Sequence, residues 1–480
     1  MKYILSILVI GLFLPQICLS AELDDLNIYF SNPSVEPSLS IQASVDWYDE
    51  YNSNYPNNLL TRPYLAWYEA YVIRAYISMY RAAVARGESQ GERDKWLERL
   101  INHCDYVVDE NMTGEEYLVY AGHGHTPLAG FVKMVFENET LYNQSVSGEP
   151  DKTYGEKANK YLVFIEDTII PYWRSYSYGS DPHNWYLSYG SLLINLHQIT
   201  RSPFYQTPYY NTSDSTLEDY YNSTVIDMTS IYFQDFGQWN HSGNTDWYDD
   251  PYPQKKGLMY VSETNSYAFR YMDPDSNPRP EDIGHANLDV EFVLKAYHDP
   301  YFTQAYPNQT MERFANTFLR LIVENDNFTH PEYASHIDPA NTYGWHDFEN
   351  YSTQRWLWLY EFNSTVGEVV SNWYQNHTEK YFYESLANLA CWQEGLLQDD
   401  TTSTFPTSTS TTTTSTTSTS TTSTSTTMTS TTSSSTTSSS STTSTSSTST
   451  SSTPTTTVCT QPNCLRFQTG WNMITLILTP

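Results

Sequence analysis

The segment EDIGHANLD, residues 281–289, sets three carboxylates around one histidine near the start of a helix predicted over residues 280–299. His285 follows Asp282 by three residues and precedes Asp289 by four. Glu281 precedes Asp289 by eight. These separations put the four side chains close to one stripe of a helix. Carboxylates beside an imidazole orient its ring and raise its pKa, so His285 is the leading candidate for a functional residue.

Two other interpretations of this stripe remain open. Acidic side chains are favourable in the first turn of a helix, so Glu281 and Asp282 could be structural neighbours of a histidine that has no catalytic role. His285 and Asp289, four residues apart, could instead ligate a metal ion.

Two further motifs bring hydrogen-bonding groups to predicted turns. Asn184 lies in DPHNWYLSYG, where a helix is predicted to begin. Its amide could bind a ligand or only cap the helix, and His183 beside it is an alternative. His123 and His125 lie in YAGHGHTPLAG, which has the composition of a Gly-rich turn before a helix starting at Pro127. This pair could bind a substrate carboxylate or a metal ion, or belong only to the turn.

Aromatic residues are abundant, with 42 Tyr, 19 Phe and 13 Trp. An apolar sugar face packs well on an aromatic plane, so exposed rings favour a carbohydrate ligand. Trp247, in the loop-like TDWYDDPYP of residues 245–253, is the leading candidate for such a platform, whereas RWLWLY has the spacing of a helix in the core. Asp246 and Asp249 in the same loop could alternatively hold calcium through oxygen ligands.

The net charge of −31 comes from scarce lysine and arginine more than from added carboxylates, since Lys and Arg total 24 against 55 Asp and Glu. No Lys/Arg-rich run is present to meet phosphates, which argues against nucleic acid or an anionic membrane surface as a partner. After residue 20 no segment is long and apolar enough to cross a bilayer, so no membrane span is expected.

Composition divides the chain into four parts. Residues 1–20 have the layout of a secretory signal peptide, so the mature chain is expected to be secreted or displayed at the cell surface. Residues 22–400 form the expected folded domain, and residues 401–457 an O-glycosylated, disordered Ser/Thr-rich linker. Residues 458–480 alternate like the first strand of a truncated β module. Eleven Asn-x-Ser/Thr sequons suit an exported glycoprotein.

Helical periodicity dominates residues 22–400, and turn-rich loops separate the predicted helices. These helices cover residues 65–87, 94–110, 155–173, 184–200, 217–236, 280–299, 310–323, 353–362 and 379–395. Consecutive helix pairs without a clear series of strands favour an all-α domain, an (α/α) toroid of stacked helical hairpins.

The cysteines offer a test of that architecture. A closed ring of hairpins would bring its first and last members together, and Cys104 and Cys391 could then be close enough to form a disulfide. Cys459 and Cys464 could close a small loop near the C-terminus, and no CxxC pair indicates zinc.

The motifs EDIGHANLD and RFANTF, after AGHGHTPLAGF and HNWYLSYGSLL, resemble in their order those of secreted (α/α)-toroid polysaccharide lyases, similar to the alginate and glucuronan lyases. The resemblance covers about residues 60 to 350. It implies that a cleft binds a uronate-containing polysaccharide and cleaves it by β-elimination.

Lyase chemistry explains the residue types. Removing the C5 proton of a uronate creates an enolate beside a carboxylate, so that carboxylate must first be neutralised. A base then takes the proton, and an acid protonates the departing O4. The resemblance implies His285 as the base or the neutralising group, and Asn184 as the amide on the carboxylate. Tyr343, in NTYGWHDFEN, is the candidate phenolic acid or base, with Tyr260 and Tyr267 as competitors.

Arg313, in MERFANTF, could reach the substrate carboxylate or could form a surface ion pair. The groups expected to bind substrate are Glu281, Asp282, His123, His125, Arg313 and Trp247. Lyases of this kind usually have a basic cleft, so the few Lys and Arg in this chain count against a highly anionic substrate. Elimination requires no cofactor, although calcium remains open.

Two other functions remain open as well. A toroidal glycoside hydrolase would need two carboxylates across a cleft, for which Glu281, Asp282, Asp246 and Asp249 are candidates. A non-catalytic glycan-binding surface protein would suit the Ser/Thr tract and the sequons. Product analysis separates the two enzymes, because elimination leaves an unsaturated sugar that absorbs in the ultraviolet and hydrolysis does not.

Overall fold

The structure is a computed structural model that describes residues 40–42, 45–46, 49, 63–115, 117–177, 182–205, 216–234, 237–239, 257–271, 279–337, 353–377 and 383–396. All of them belong to the first of the two units, Met1–Thr409 and Ser410–Pro480, into which the chain divides. The described residues are mostly helical, which confirms the all-α expectation at the level of fold class. The expected signal peptide, linker and C-terminal segment, with Cys459 and Cys464, lie outside the described residues.

The α-helices of this part are α1 (Pro63–Ala85), α2 (Gln90–Asp109), α3 (Leu118–Phe136), α4 (Glu139–Asn143), α5 (Tyr154–Phe164), α6 (Ile170–Trp173), α7 (His183–Ile199), α8 (Leu217–Gln234), α9 (Ile283–His298), α10 (Asn308–Thr317), α11 (Thr365–Asn376) and α12 (Tyr383–Gln393). π-helical turns cover Ile165–Ile169 and Phe318–Ile322, and 3₁₀ turns cover Thr303–Ala305, Glu324–Asp326 and Trp356–Glu361. Among the described helices, none combines the length and the apolarity needed to cross a bilayer.

Capping side chains explain where several helices begin. Ser89 accepts a hydrogen bond from the backbone N–H of Glu92 at the start of α2, and Thr153 and Glu156 form a capping box at the start of α5. Asp282 caps α9 in the same way. These side chains satisfy N–H groups that the first helical turn leaves without a partner.

Two helices that are buried along almost their whole length, α3 and α7, organise the core. Helix α3 packs against α1, α5 and α7, and α7 packs in turn against α8 and α9. The last described α-helix, α12, packs against α1 and against the Trp356–Glu361 turn, which also contacts α9 and α11. The apolar surface removed from water at these contacts is the main favourable term for folding.

Two glycines let α3 approach its neighbours closely. A Cβ added to Gly122 would lie 2.3 Å from the backbone nitrogen of Tyr189 in α7, and one added to Gly124 would lie 3.0 Å from a side chain of α1. The prediction of a turn over this segment, with a helix starting at Pro127, is wrong because α3 runs continuously through Pro127. The glycines serve helix packing rather than chain reversal.

A four-stranded sheet leads into α9, whereas the sequence predicted no series of strands. Its strands are β3 (Gly237–Trp239), β4 (Gly257–Val261), β5 (Ser266–Tyr271) and β6 (Arg279–Pro280), after a separate pair, β1 (Ser145–Val146) and β2 (Glu149–Thr153). The order is β3-β4-β5-β6, with β3 and β4 parallel and the other pairs antiparallel. Because β6 runs directly into α9, the sheet fixes where that helix begins.

Cys104 and Cys391, the candidate pair that a closed ring could have brought together, do not form a disulfide. Both thiols are free and buried. The Sγ of Cys391 donates to the carbonyl oxygen of Ser78 in α1 at 3.0 Å. Cys104, in α2, lies close enough to Tyr161 of α5 to affect the pKa of that phenol. Although α2 and α12 both pack on α1, their cysteines have different neighbours.

Candidate functional site

His285 and Asp282 form a hydrogen-bonded pair at the start of α9. Asp282 Oδ1 accepts the backbone N–H of His285 at 2.7 Å, and Asp282 Oδ2 lies 2.5 Å from the imidazole Nδ1. The side chain of His285 is 46% exposed, and that of Asp282 is 14% exposed. A carboxylate that accepts from Nδ1–H makes Nε2, on the far side of the ring, the basic nitrogen. The contact with Asp282 therefore fixes the orientation of the partly exposed imidazole ring.

The charge of Asp282 and its backbone are both fixed. Burial alone would raise the pKa of the Asp282 carboxyl, but the charge and the hydrogen bonds of His285 lower it to about 2. Asp282 is therefore ionised at neutral pH. Its backbone pairs with His336 in an antiparallel bridge, and the next residue, Ile283, donates its N–H to the carbonyl oxygen of Ser335. Backbone hydrogen bonds to residues 335 and 336 therefore fix the position of the segment that carries the Asp282–His285 pair.

Glu281 and Asn184 lie next to this pair and have no exposed surface, each at 0%. Asn184 Nδ2 donates to Glu281 Oε1 at 3.3 Å. The backbone of Glu281 is held on both sides, since its N–H donates to Phe269 and its carbonyl oxygen accepts from Ile337. The structure therefore brings Asn184 and His285 to the same acidic neighbour, but the Asn184 amide contacts Glu281 instead of solvent.

A second His–Asp pair lies one turn further along α9 and is completely buried. His183 Nδ1 lies 2.5 Å from Asp289 Oδ2, and both side chains are 0% exposed. His183 Nε2 lies 3.5 Å from Glu281 Oε2. Tyr232 donates to Asp289 Oδ2 at 3.3 Å. Burial raises the pKa of Asp289 although the neighbouring imidazole opposes this shift. The His183–Asp289 pair joins α7 to α9 in the interior.

His123 is buried between two aromatic rings and two guanidinium groups. The centroid of its ring lies 4.2 Å from that of Trp67 and 4.6 Å from that of Tyr71. Its Nδ1 lies 3.4 Å from Arg74 Nη1 and 3.1 Å from Arg355 Nη2, both of which can only donate. Burial, followed by the charges of these arginines, holds the pKa of His123 well below its usual value. His123 is therefore neutral at pH 7.

The same arginines belong to a buried group of four charged residues, the Arg–Glu quartet: Arg74, Glu291, Arg355 and Glu384. Arg74 Nη2 lies 3.0 Å from Glu291 Oε2. Arg355 Nε lies 3.2 Å from Glu291 Oε2 and 3.6 Å from Glu384 Oε1. Two positive and two negative groups balance, and the quartet joins α1, α9, α12 and the residue before the Trp356–Glu361 turn. Both guanidinium groups form ion pairs with carboxylates of the quartet, and both also contact His123.

His125, predicted to bind substrate, makes structural contacts in the interior. It is 0% exposed. Its ring nitrogens lie 2.8 Å from the carbonyl oxygen of Ala121 and 2.7 Å from that of Met112. Burial lowers the pKa of His125. The ring thus ties α3 to the segment that follows α2, and a substrate cannot reach it without displacing those contacts.

Arg313, the predicted carboxylate ligand, holds the turn between β4 and β5. Its guanidinium donates to Asn265 Oδ1 and to Tyr267 OH, both at 3.2 Å. It also lies over the ring of Tyr260, 4.5 Å from the centroid. A substrate role for Arg313 stays a prediction. Trp247 and Tyr343, the predicted platform and phenol, lie outside the described residues.

Partly exposed aromatic side chains form a connected group in the N-terminal half of α1 and at the starts of α3 and α7. The members of this aromatic row are Trp67, Tyr71, Tyr117, Tyr120 and Trp185. Ring centroids lie 5.8 Å apart for Trp67–Tyr120 and 6.3 Å apart for Trp67–Tyr71. They lie 5.2 Å apart for Tyr117–Tyr120 and 5.3 Å apart for Tyr117–Trp185. Tyr117 is 41% exposed.

Two links connect the aromatic row to the Asp282–His285 pair. Trp185 directly follows Asn184, whose amide contacts Glu281, the neighbour of Asp282. The row also packs on His123, whose low pKa includes a contribution from the charge of His285. The open imidazole therefore lies near a residue that supports the row.

Glu281, Asp282 and His285 could also hold a metal ion. One ligand atom from each lies within 4.8 Å of the others. Two carboxylates with an imidazole suit a transition metal such as zinc or manganese better than calcium, which prefers oxygen ligands alone. A cation here would add positive charge beside the aromatic row, where it could neutralise a substrate carboxylate.

Sequence reasoning missed the aromatic row and the Arg–Glu quartet. A signal for the quartet exists, because Arg74 in YVIRAY and Glu291 in DVEFVL are charges inside apolar helical runs. Such charges are rarely buried without partners. For the row there is no comparable signal, since 42 tyrosines give no basis for choosing among them.

No family model, no curated protein and no solved structure matches this chain. The functional argument therefore rests on the geometry and chemistry of the described residues.

Proposed function

We propose that this chain is a secreted carbohydrate-active enzyme, a polysaccharide lyase that cleaves a uronate-containing glycan by β-elimination. One observation carries the proposal: the half-exposed imidazole of His285 is oriented by the ionised Asp282 and lies near His123, on which the aromatic row packs. Proton abstraction from a sugar needs an oriented base and a surface that holds the sugar ring against it.

In the proposed reaction, His285 Nε2 takes the C5 proton of the uronate. The electron pair of the C5–H bond forms the C4–C5 double bond through an enolate, the C4–O4 bond breaks, and O4 receives a proton as it leaves. The product carries an unsaturated sugar at its new non-reducing end, and no water is consumed. Asp282 stabilises the imidazolium that forms on His285. Tyr343 remains the candidate for protonating O4, and Arg313 the candidate for neutralising the uronate carboxylate.

The proposal gives Asn184 a positioning role. A direct role on the substrate carboxylate would require its amide to leave Glu281. Glu281 is fully buried, and a buried carboxylate that loses a hydrogen-bond donor is destabilised. Asn184 therefore acts through Glu281, which adjoins the Asp282–His285 pair.

The packing of the helices supports an (α/α) toroid as the architecture of this enzyme. Helices α1, α3, α7 and α9 follow one another as neighbours, and α12 packs against α1. The polar and aromatic groups of the candidate site occur in the N-terminal halves of these same helices or directly before them. A ring of hairpins would gather these N-terminal halves around one cleft.

Among the described residues, the geometry of Glu281 and Asp282 does not support hydrolysis, while Asp246 and Asp249 lie outside the described residues. Glycoside hydrolases hold two carboxyl groups roughly 5 to 9.5 Å apart on opposite sides of the scissile bond. Glu281 and Asp282 have oxygens within 4.8 Å of each other, and Glu281 has no exposed surface. These two acids therefore do not face each other across a cleft.

The test is an ultraviolet assay of the purified chain on alginate, polyglucuronate and mixed uronate polysaccharides. We expect absorbance from an unsaturated product with the wild type, and a loss of roughly 100-fold or more with His285→Ala, in the range for removing a general base. His330→Ala is the matched control, because His330 is an exposed histidine elsewhere on the chain.

Two results would overturn this proposal. One is product formation without ultraviolet absorbance, which would indicate hydrolysis. The other is undiminished turnover by a correctly folded His285→Ala protein, because the base would then be another group. Treatment with a chelator, followed by added zinc, manganese or calcium, reports separately whether a cation at Glu281, Asp282 and His285 contributes.

A further inference from the structure

The aromatic row differs from the predicted platform at Trp247 and has a definite chemical character. Neighbouring rings of the row meet edge to face, at interplanar angles of 68° to 81°, so each exposed ring face can take one sugar and successive sugars must turn between rings. Three helices contribute to it, which holds the rings at fixed spacing. Large aromatic groups left partly exposed beside a catalytic candidate are typical of a binding surface.

The charges around the row are already neutralised. Behind it, His123 is uncharged because burial and two arginines depress its pKa. The arginines Arg74 and Arg355 are 8% and 2% exposed and are paired within the Arg–Glu quartet. A carboxylate placed on this part of the row would therefore face arginines that are already paired with Glu291 and Glu384.

The composition of the whole chain adds to this effect. Lys and Arg total 24 against 55 Asp and Glu, which gives a net charge of −31. A polymer with a carboxylate on every sugar would be repelled on approach. Elimination nevertheless needs one uronate at the reacting position.

We propose that the aromatic row binds uncharged sugar units that flank a single uronate placed at His285. The substrate class is then a mixed glycan in which uronates are separated by neutral sugars, as opposed to a pure polyuronate. This inference rests on the proposed function for the position of the uronate, while the neutral-sugar site stands on the row itself.

Direct binding tests the row independently of turnover. The inactive His285→Ala protein is titrated calorimetrically with neutral β-1,4-linked hexasaccharides of glucose, mannose and xylose, and with hexasaccharides of glucuronate and guluronate. We expect at least one neutral hexasaccharide to bind more tightly than both polyuronates, with an affinity that is insensitive to salt. Tyr117→Ala and Trp185→Ala should each weaken that binding roughly 10-fold.

Tyr172→Ala is the matched control, because Tyr172 is a 50% exposed aromatic residue outside the row. It should leave the affinity unchanged. Circular dichroism of each variant verifies folding, and Trp67→Phe, which keeps a ring, should retain most of the binding if Trp67→Ala fails to fold.

Tighter, salt-dependent binding of a polyuronate hexasaccharide would overturn the inference, as would a neutral affinity that the row variants leave intact. Absence of binding by all three neutral hexasaccharides would also overturn it. If neutral sugars bind through the row but no glycan is cleaved, the row stands and the lyase proposal fails. If polyuronates are cleaved without dependence on the row, the lyase proposal stands and the inference fails.

Discussion

Helix α9 carries two His–Asp contacts of the same length in opposite surroundings. In both, an imidazole Nδ1 lies 2.5 Å from an aspartate Oδ2. The His285 side chain is 46% exposed, whereas His183 and Asp289 have no exposure. The pKa of Asp282 falls to about 2, while that of Asp289 is raised. Pairing alone therefore does not define a catalytic group, because burial decides whether the contact stabilises the fold or presents a base to a ligand.

The largest expected effect comes from breaking the buried pair. His183→Ala leaves Asp289 in the interior without its imidazole, so we expect the free energy of unfolding to fall by about 3 to 5 kcal/mol. His285→Ala leaves Asp282 near solvent and should cost no more than about 2 kcal/mol. Urea unfolding followed by tryptophan fluorescence measures both values. An equal decrease in the free energy of unfolding for the two variants would contradict the conclusion that burial distinguishes the two His–Asp contacts.

Glu166 extends the comparison to a carboxyl group without a cationic partner. It accepts from Tyr205 and Tyr221 at 3.1 Å each, and burial raises its pKa to about 7 although the tyrosines oppose the shift. The unfolded chain loses this proton near pH 4.5 and the folded chain only near pH 7, so stability falls as the pH rises between these values. Relative to Glu166→Gln, the free energy of unfolding of the wild type should therefore fall by about 3 kcal/mol as the pH rises through this window.

The Glu166 prediction is checked by unfolding wild type and Glu166→Gln at pH 4, 5, 6, 7 and 8. The difference in the free energy of unfolding between the two proteins should be small at pH 4. It should change between pH 4.5 and pH 7 and level off above pH 7. A difference that is constant with pH would mean that Glu166 ionises normally in the folded protein.

Asp282 should show the opposite sign, with a smaller effect. Its folded pKa of about 2 lies below the unfolded value near 4. Its ionisation therefore stabilises the fold above pH 4, and this contribution disappears as the pH falls towards 2. Asp282→Asn keeps a good helix cap but removes the charge. We therefore expect this substitution to lower the free energy of unfolding by about 2 kcal/mol at pH 7 and to leave it almost unchanged at pH 2.

An acid titration of wild type and Asp282→Asn, monitored by circular dichroism, measures this difference. Ser89→Asn is a suitable control, because it alters a helix cap without any carboxylate. Curves for wild type and Asp282→Asn that stay parallel from pH 7 to pH 2 would show that His285 does not hold Asp282 in its charged form.

The smallest expected effect concerns the buried thiols. Cys104 and Cys391 are free and buried, and burial raises the pKa of each thiol. They should therefore react with iodoacetamide only after denaturation, and a reducing agent should leave the melting temperature unchanged. Mass spectrometry of the protein denatured and alkylated without reduction should show both cysteines carrying the alkyl group. A cross-linked peptide joining them would restore the disulfide that the sequence predicted.

The sequence predicted the long helices well because an apolar stripe has to be buried wherever it occurs. It also predicted the neighbourhood of Glu281, Asp282 and His285, which depends only on local spacing. The start of α3 was missed since Gly122 and Gly124 look like turn residues, although they are used for close helix contact. The strands β4 and β5 were missed since short alternating runs between turn residues resemble loops.

The burial of individual groups was beyond sequence reasoning. Whether His123 or Asn184 meets solvent depends on partners such as Arg355 and Glu281, which are distant along the chain. The expected role of His285 remains a proposal because its side chain is 46% exposed. Asn184, in the first turn of α7, is covered by its neighbours.

The Arg–Glu quartet has a consequence for biosynthesis. Arg74 is translated about 300 residues before Glu384, which completes the charge balance of the quartet. Until α12 leaves the ribosome, Arg355 lacks Glu384, one of its two carboxylate partners, and a buried, incompletely paired guanidinium is strongly unfavourable. The domain should therefore close only after its last helix has been synthesised. Nascent chains stalled before residue 383 should remain sensitive to protease, and chains stalled well beyond it should resist.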